Sequence, residues 1–251
     1  MVDWPLLLAG LMGIGPGLLV LLVSYSPYDG HFRDNVLFLF FMGGIFAGMA
    51  VAFFELLLLL PNDTLYRAGM VLVGVPIVEQ LLKLVVLNRK NYRGDRATLF
   101  YGGSFGLGFA TMVVLFTARN IRLDRYADPL VLFADPWRAL AFLFVATSIL
   151  MFHFAAGIIV GDGVRTQRLV PAVGKSIAAM VPLQFLVFEF SQIVAQGRDS
   201  EGAIYLPFML AYALVLAWWA HTRVLPNALP PNAQRKRRRT IRRDQRTKAG
   251  P

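Results

Sequence analysis

Residues 65–87 read LYRAGMVLVGVPIVEQLLKLVVL, an apolar run that is interrupted in its second half by Glu79, Gln80 and Lys83. A run of about 20 mostly apolar residues is long enough to cross ~30 Å of hydrocarbon as a helix. Glu79 and Lys83 are four residues apart, so their side chains lie one helical turn apart and can meet. Ionisable side chains inside a membrane helix are costly and indicate a functional site by default. This stretch therefore predicts a membrane-spanning helix with a candidate site inside it.

The whole chain has the composition of a membrane protein. Of its 251 residues, 57% are hydrophobic and only 16% are charged, whereas soluble domains are about 45–50% apolar. The chain contains no cysteine, which excludes disulfides, zinc-thiolate sites and thiol catalysis. The formal net charge is +10. Positions 235 to 248 contain nine basic residues and one acidic residue, Asp244, and so account for most of this charge. The basic character is therefore a local property of the C-terminal segment.

Seven apolar runs are long enough to span a bilayer. They cover about Trp4–Tyr25, Asn35–Leu60, Leu65–Leu87, Thr98–Ala118, Trp137–Val160, Leu169–Val194 and Ala203–Val224. No Lys or Arg precedes the first run, so we interpret it as an uncleaved helix rather than a signal peptide. The predicted fold class is an all-α, polytopic membrane helix bundle over residues 1–225, followed by a basic, flexible cytoplasmic tail over residues 226–251.

Basic residues in the short loops predict the orientation, because Lys and Arg favour the cytoplasmic side. Segments 88–97 and 162–175 both lie on the side of the basic tail and carry Arg89, Lys90, Arg93, Arg96, Arg165, Arg168 and Lys175. Seven spans then place the N-terminus outside and the C-terminus inside. On the outer side, three arginines of segment 119–136 are offset by three aspartates: Arg119, Arg122, Arg125, Asp124, Asp128 and Asp135.

The fourth run contains Gly102 and Gly106 four residues apart. Small residues at this spacing let two helix backbones approach closely, so they predict a tight helix crossing. A nucleotide-binding loop is excluded, because the segment has neither a preceding strand nor a phosphate-binding lysine.

Two of these runs carry a resemblance to a known family. Pro76-x-x-Glu79-Gln80-x-x-Lys83, followed by Tyr101-Gly-x-x-x-Gly-Leu-Gly-Phe-Ala110, resembles the PrsW family of intramembrane proteases, which is related to the CAAX-processing and bacteriocin-processing membrane proteases. A later His before small residues, as at His153, is also typical of that family. The similarity extends from about Pro76 to Ser191. It implies an integral protein of a prokaryotic cell membrane, with Glu79, Lys83 and His153 as the catalytic candidates.

The chain also departs from the family pattern at positions that carry the chemistry. The family has Glu-Glu-x-x-Lys in its first motif, Glu-Asn after Gly-Phe-Ala, and a His with an Asn one turn later in a fourth helix. Here Gln80 replaces the second Glu of the first motif, and Val113 and Val114 replace the Glu-Asn pair. Gln184 and Phe188 replace the His and the Asn of the fourth helix. Losing even one electrostatic donor typically lowers a rate by ~10²–10³. The combined losses therefore favour a non-catalytic or very weakly active homologue.

Cofactor chemistry is not expected from the residues that survive. Glu79 and His153 provide two ligands, and a catalytic zinc usually needs three from the protein. A divalent metal would accompany only an active protease. Two further carboxylates, Glu55 and Glu189, lie inside apolar runs, and Glu189 is adjacent to the position of the missing Asn.

Three functions fit these residues. The preferred one is a homologue that binds membrane segments or partner proteins without cutting them, with Gln80, Gln184 and Glu189 as the candidate substrate-binding residues. The first alternative is an active intramembrane protease in which Glu79 acts as the base and His153 polarises the water or the scissile carbonyl. The second alternative is a structural subunit of a larger membrane complex.

The tail predicts a partner of its own. Its run Arg235-Lys-Arg-Arg-Arg-Thr-Ile-Arg-Arg243 is suited to anionic lipid headgroups, since each basic residue near the surface gains roughly 1 kcal/mol there. RNA phosphates are an alternative partner. They are less favoured, because no aromatic residue for base stacking interleaves the run.

Overall fold

The computed structural model describes residues 4–58, 64–120, 136–230 and 232, with side-chain surroundings from Gly13 onward. Within these ranges every regular element is helical and no strand occurs, which confirms the all-α prediction for the described chain. The outer arginines between 121 and 135, the Glu55 side chain and the basic run 235–248 lie outside the described residues.

The bundle is built from long helices joined by short connections. The α-helices of the described ranges are α1 (Trp4–Tyr25), α2 (Asp34–Leu58), α3 (Thr64–Gly69), α4 (Val75–Leu87), α5 (Thr98–Asn120), α6 (Pro136–Thr166), α7 (Leu169–Ala195), α8 (Asp199–Gly202) and α9 (Tyr205–Trp219). Two π-helical segments, Met70–Gly74 and Ala220–Val224, continue α3 into α4 and extend α9. Short 3₁₀ turns occupy Ser26–Tyr28 and Leu225–Ala228.

Six helical stretches in the described residues are long and apolar enough to cross a membrane. They are Asp34–Phe54, Met70–Leu87, Thr98–Phe116, Ala139–Thr166, Leu169–Val194 and Tyr205–Ala228. The first predicted span coincides with α1, whose described apolar part, with its following turn, is Gly13–Tyr28. The chain is therefore compatible with a multi-pass integral membrane protein.

Each π-helical segment ends two residues before a proline, Pro76 or Pro226. A proline has no backbone N–H, and its ring collides with the carbonyl four residues earlier in an α-helix. The wider π-turn relieves this collision, and the amide of Val75 donates to the carbonyl of Met70, five residues back. The π-turn thereby sets the rotation with which α4 enters the bundle.

The α5 helix forms the centre of the bundle, between α2 and α6, and residues 98–111 are all buried. A methyl group on Gly106 would collide with the carbonyl oxygen of His153, and one on Gly108 would collide with that of Phe41. Glycine is thus required on both sides of α5 for the backbones to touch. The close crossing predicted from Gly102 and Gly106 is confirmed, and their partner on α6 is the segment 153–161.

Side-chain hydrogen bonds to backbone carbonyls tie the outer helices to this centre. The Tyr25 hydroxyl donates to Phe100 over 2.9 Å, and the Ser104 hydroxyl donates to Leu37 over 2.7 Å. On the other side of the bundle, the Tyr212 hydroxyl donates to Ala179 over 2.6 Å. These bonds satisfy hydroxyl groups that the packing of the helices buries wholly or in part.

The end predicted for the fifth span, Val160, is six residues too early. The α6 helix continues to Thr166, and α7 begins at Leu169. Asp162 and Arg165 lie in this last part of α6 and form an ion pair of 2.6 Å one turn apart, a spacing that modestly stabilises a helix. At the C-terminal end, Ala228 and Leu229 of the predicted tail are buried against the bundle.

Candidate functional site

The α4 helix directs its polar residues into the bundle. Glu79, Gln80 and Lys83 each have 0% of their surface exposed, because their spacing of three and four residues places them on one helical face with Pro76 and Leu87. The exposed residues Ile77, Leu81 and Val85 lie on the opposite face. The amphipathic character of α4 is therefore inverted, with charge inside and hydrocarbon outside.

The Lys83 ammonium contacts the imidazole of His153 on α6. Nζ lies 3.0 Å from Nδ1 of the ring. An ammonium group can only donate a hydrogen bond, so Nδ1 accepts it and a neutral ring carries its proton on Nε2. Nζ also lies 4.6 Å from the centre of the Phe109 ring, where the negative face of an aromatic ring stabilises a cation.

The Glu79 carboxylate lies on the other side of the same imidazole. Its Oε2 is 4.0 Å from Nε2 of His153, and His153 itself is 2% exposed. The imidazole is thus placed between one carboxylate and one ammonium. Buried charges persist in a low-dielectric interior when opposite charges and hydrogen bonds compensate them. Here Lys83 has hydrogen bonds to His153 and Gln80, and the imidazole edge lies 4.0 Å from the Glu79 carboxylate.

Gln80 extends the cluster to α7. Its Oε1 accepts hydrogen bonds from the Ser176 hydroxyl at 2.8 Å and from Lys83 Nζ at 3.4 Å. Its Nε2 donates to the sulfur of Met180 at 3.2 Å. An amide can accept and donate in this way, whereas an ionised glutamate can only accept. The amide at this position therefore fits its surroundings better than the glutamate of the PrsW motif would.

The structure brings together four of the six residues proposed from the sequence: Glu79, Gln80, Lys83 and His153. Gln184 is half-buried and lies one turn beyond Met180. Glu189 lies nine residues beyond Met180, which is two and a half turns of α7, and so it faces the opposite side of that helix. None of the hydrogen bonds of Gln80 or Lys83 runs to Gln184 or Glu189.

Three contributors to the cluster were missed by the sequence analysis: Phe109, Ser176 and Met180. Ser176, Met180 and Gln184 recur every four residues along α7, and this spacing on an apolar helix is a signal for one inward face. Phe109 lies in the glycine-rich α5, but its role beneath Lys83 depends on how α4 crosses that helix. No local pattern reveals such a crossing.

The chemistry open to the cluster is limited by its composition. Within the described ranges, no group of three His, Cys, Asp or Glu side chains is placed to hold a metal ion. A carboxylate and an imidazole 4.0 Å apart can exchange a proton after a small movement. The same two groups, together with Lys83, also form an electrically balanced contact between α4 and α6.

Gln80→Leu tests whether the amide is structural. We expect a loss of about 1–3 kcal/mol in the free energy of unfolding, because the buried Ser176 hydroxyl loses its acceptor and the Lys83 ammonium loses one of its contacts. The measurement is detergent-induced unfolding of the purified variant. The double variant Gln80→Leu/Ser176→Ala should recover part of the loss, and equal stability of the single variant and the wild type would contradict this role.

No protein-family model matches the chain, and no curated protein or solved structure is significantly similar to it.

Proposed function

We propose that this chain is a multi-pass membrane protein that binds membrane segments or partner proteins without cutting them, and that it is a degenerate homologue of the PrsW family. The observation that carries the proposal is the burial of the polar cluster, together with the hydrogen bonds that engage Lys83 and Gln80. Glu79, Gln80, Lys83 and His153 are buried to 98% or more, and they contact one another across α4 and α6.

Peptide-bond hydrolysis requires groups that are available to water and to the substrate. A base must activate a water molecule, and a donor must stabilise the oxyanion that forms. Here the Lys83 ammonium is directed at His153 and Gln80, and the amide of Gln80 is directed at Met180. The donors that would have to meet an oxyanion are therefore engaged in holding helices together. This supports a structural role for the remains of the motif.

The proposed topology has seven spans, with the N-terminus outside and the C-terminus inside. Contacts support one common end of the bundle for the α1–α2, α4–α5 and α6–α7 connections. The amide nitrogen of Arg33, before α2, lies 3.3 Å from the hydroxyl of Tyr101 at the start of α5. The amide nitrogen of Gly94, before α5, lies 3.5 Å from the carbonyl of Val164 at the end of α6. This end carries Arg89, Lys90 and most other described basic residues. Positive charge of this kind marks the cytoplasmic side.

The α7 helix is the proposed contact for a partner. Only 17% of the apolar stretch of α7 is buried inside the bundle, whereas 78% of the apolar stretches of α5 and α6 is buried. The exposed side of α7 includes Gly174 and Ala178, four residues apart, and a methyl group on Gly174 would have no neighbour within 4 Å among the described residues. Small residues at this spacing allow close approach of a second membrane helix. A stoichiometric partner that co-purifies with the chain would favour the alternative of a structural subunit in a larger complex.

A cleavage assay tests the proposal directly. The purified protein in nanodiscs is incubated with a panel of transmembrane peptides, and Glu79→Gln is tested beside it. The matched control is Ser104→Ala, which removes a buried hydroxyl of α5 that donates to Leu37 and lies outside the cluster. We expect no cleavage by any of the three proteins. Cleavage by the wild type and by Ser104→Ala that Glu79→Gln abolishes would overturn the proposal.

That outcome would favour the second candidate function, an active intramembrane protease that uses Glu79 and His153. The observation behind this alternative is the distance of 4.0 Å between the carboxylate and the imidazole, which is close enough for the pair to share a proton after a small movement. Its weakness is the position of Glu189, which α7 directs away from the Met180 face. The pair would have to act without a second carboxylate.

A further inference from the structure

Two basic segments that are far apart in the sequence lie side by side at one end of the bundle. The amide of Gly94 lies 3.5 Å from the carbonyl of Val164, so the connection after α4 contacts the end of α6. Together with the first turns of α7, this surface exposes six basic side chains: Arg89, Lys90, Arg93, Arg96, Arg168 and Lys175. We call these residues the loop patch.

Nearby acidic residues do not neutralise the loop patch. Asp162 is already paired with Arg165, whose Nε and terminal nitrogen donate to it over 3.0 and 2.6 Å. Asp95 is exposed, and its carboxylate accepts the amide hydrogen of Ala97 at 3.0 Å. Within these segments, six exposed positive charges face one exposed carboxylate, and at the same end Arg33 accompanies Asp29 and Asp34 between the end of α1 and the start of α2. The surface keeps a positive balance, which attracts an anion.

Arg93 is held in a fixed position within the patch. Its Nε donates to the backbone carbonyl and the side-chain oxygen of Asn88 at 3.0 and 2.9 Å. The two terminal nitrogens of the guanidinium group remain available, and their planar arrangement matches two oxygens of a phosphate. Because the side chain is already ordered, little rotamer entropy is lost when an anion binds.

An exposed apolar stripe on α4 leads directly to this patch. Ile77, Leu81 and Val85 are 38%, 45% and 68% exposed, and their spacing of four residues forms one apolar line along the outer face of α4. Arg89 and Lys90 follow one turn after Val85. Apolar surface for acyl chains therefore ends where positive charge for a headgroup begins, an arrangement that suits a phospholipid rather than a soluble nucleic acid.

We propose that the loop patch and the outer face of α4 together bind an anionic glycerophospholipid, with its phosphate at Lys90 and Arg93 and its acyl chains along Ile77, Leu81 and Val85. This site is separate from the basic tail. It does not depend on whether the buried cluster is catalytic, and so it can fail or succeed independently of the proposed function.

Native mass spectrometry of the full-length protein with equimolar phosphatidylglycerol and phosphatidylcholine tests the site. We expect preferential retention of phosphatidylglycerol. The double variant Lys90→Gln/Arg93→Gln should lower the affinity for phosphatidylglycerol roughly tenfold or more, since each basic residue near a membrane surface contributes about fivefold. The apolar variant Leu81→Ser should also weaken retention, whereas a soluble anion would be insensitive to it.

Two controls separate this site from other basic groups. Arg198→Gln changes an arginine just beyond the far end of α7, where a hydrogen bond of 2.7 Å to Glu201 lowers the pKa of that carboxyl group. We expect it to retain phosphatidylglycerol like the wild type. Replacing Arg235–Arg239 by glutamine in the full-length chain should leave the preference at the loop patch in place.

Four results would overturn the proposal. The first two are equal retention of the two lipids and an effect of the double variant no larger than that of Arg198→Gln. The third is complete displacement of the lipid by millimolar inorganic phosphate. The fourth is binding of a single-stranded RNA at Lys90 and Arg93 without any lipid preference. Unchanged thermal unfolding of the double variant shows that a lost preference is not caused by misfolding.

Discussion

Lys83→Met is expected to lower the free energy of unfolding by about 3–5 kcal/mol, the loss typical of leaving a buried charge uncompensated. Methionine fills much of the space of lysine, so the loss does not come from a cavity. It comes from a buried Glu79 carboxylate whose compensating charge is gone, and from Nδ1 of His153, which loses its donor at 3.0 Å. The measurement is unfolding of the purified protein in mixed micelles.

Lys90→Met is the matched control for this prediction. Lys90 is exposed in the connection after α4, so the same change of side chain there should alter the free energy of unfolding by less than about 0.5 kcal/mol. If Lys83→Met were as stable as Lys90→Met, Lys83 would not be compensating a buried charge. The interpretation of the cluster as a balanced contact would then be rejected.

Gly106→Ala is expected to have the second-largest effect, with a loss of about 1–3 kcal/mol or more from overpacking. The added methyl group would collide with the backbone carbonyl oxygen of His153, and backbone cannot move aside as a flexible side chain can. The α6 helix would have to shift away from α5, which would also change the position of His153 relative to Lys83. Unfolding in mixed micelles again gives the magnitude.

Gly174→Ala provides the comparison, because the added methyl group would have no neighbour within 4 Å in the described part of the chain. It lies on the exposed side of α7, and we expect a change of less than about 0.5 kcal/mol or a slight gain from helix propensity. Equal stability of Gly106→Ala and Gly174→Ala would mean that the α5–α6 crossing is looser than the backbone contacts indicate.

The features that the sequence could predict are those with a local physical cause. Runs of about 20 apolar residues predicted helices long enough to span a bilayer, and six of these runs agree in position with long apolar helices in the described residues. The spacing of Glu79 and Lys83 placed both on one helical face. The glycines at 102 and 106 correctly indicated a close crossing of α5, although the partner helix could not be named from their spacing.

The features that the sequence analysis missed depend on contacts between distant segments. Ser176 and Met180 meet Gln80 because of the rotation of α7 about its axis, and that rotation is set by packing along the whole helix. The prediction ended the α6 span at Val160, because Asp162 and Arg165 look like loop residues. In the structure both lie in the last part of α6, where they form an ion pair of 2.6 Å. The π-turn before Pro76 was also missed, since a proline inside an apolar run permits several local solutions.

The most direct test of the balanced buried cluster is a double-mutant cycle between Glu79 and Lys83, with the cleavage assay run on all four proteins. We predict that Glu79→Gln/Lys83→Met is more stable than Lys83→Met alone, with a coupling free energy of about 1–3 kcal/mol, and that none of the four proteins cuts a transmembrane peptide. A coupling near zero, together with wild-type cleavage that is lost in Glu79→Gln, would contradict a structural role for this pair and would identify Glu79 as a catalytic residue.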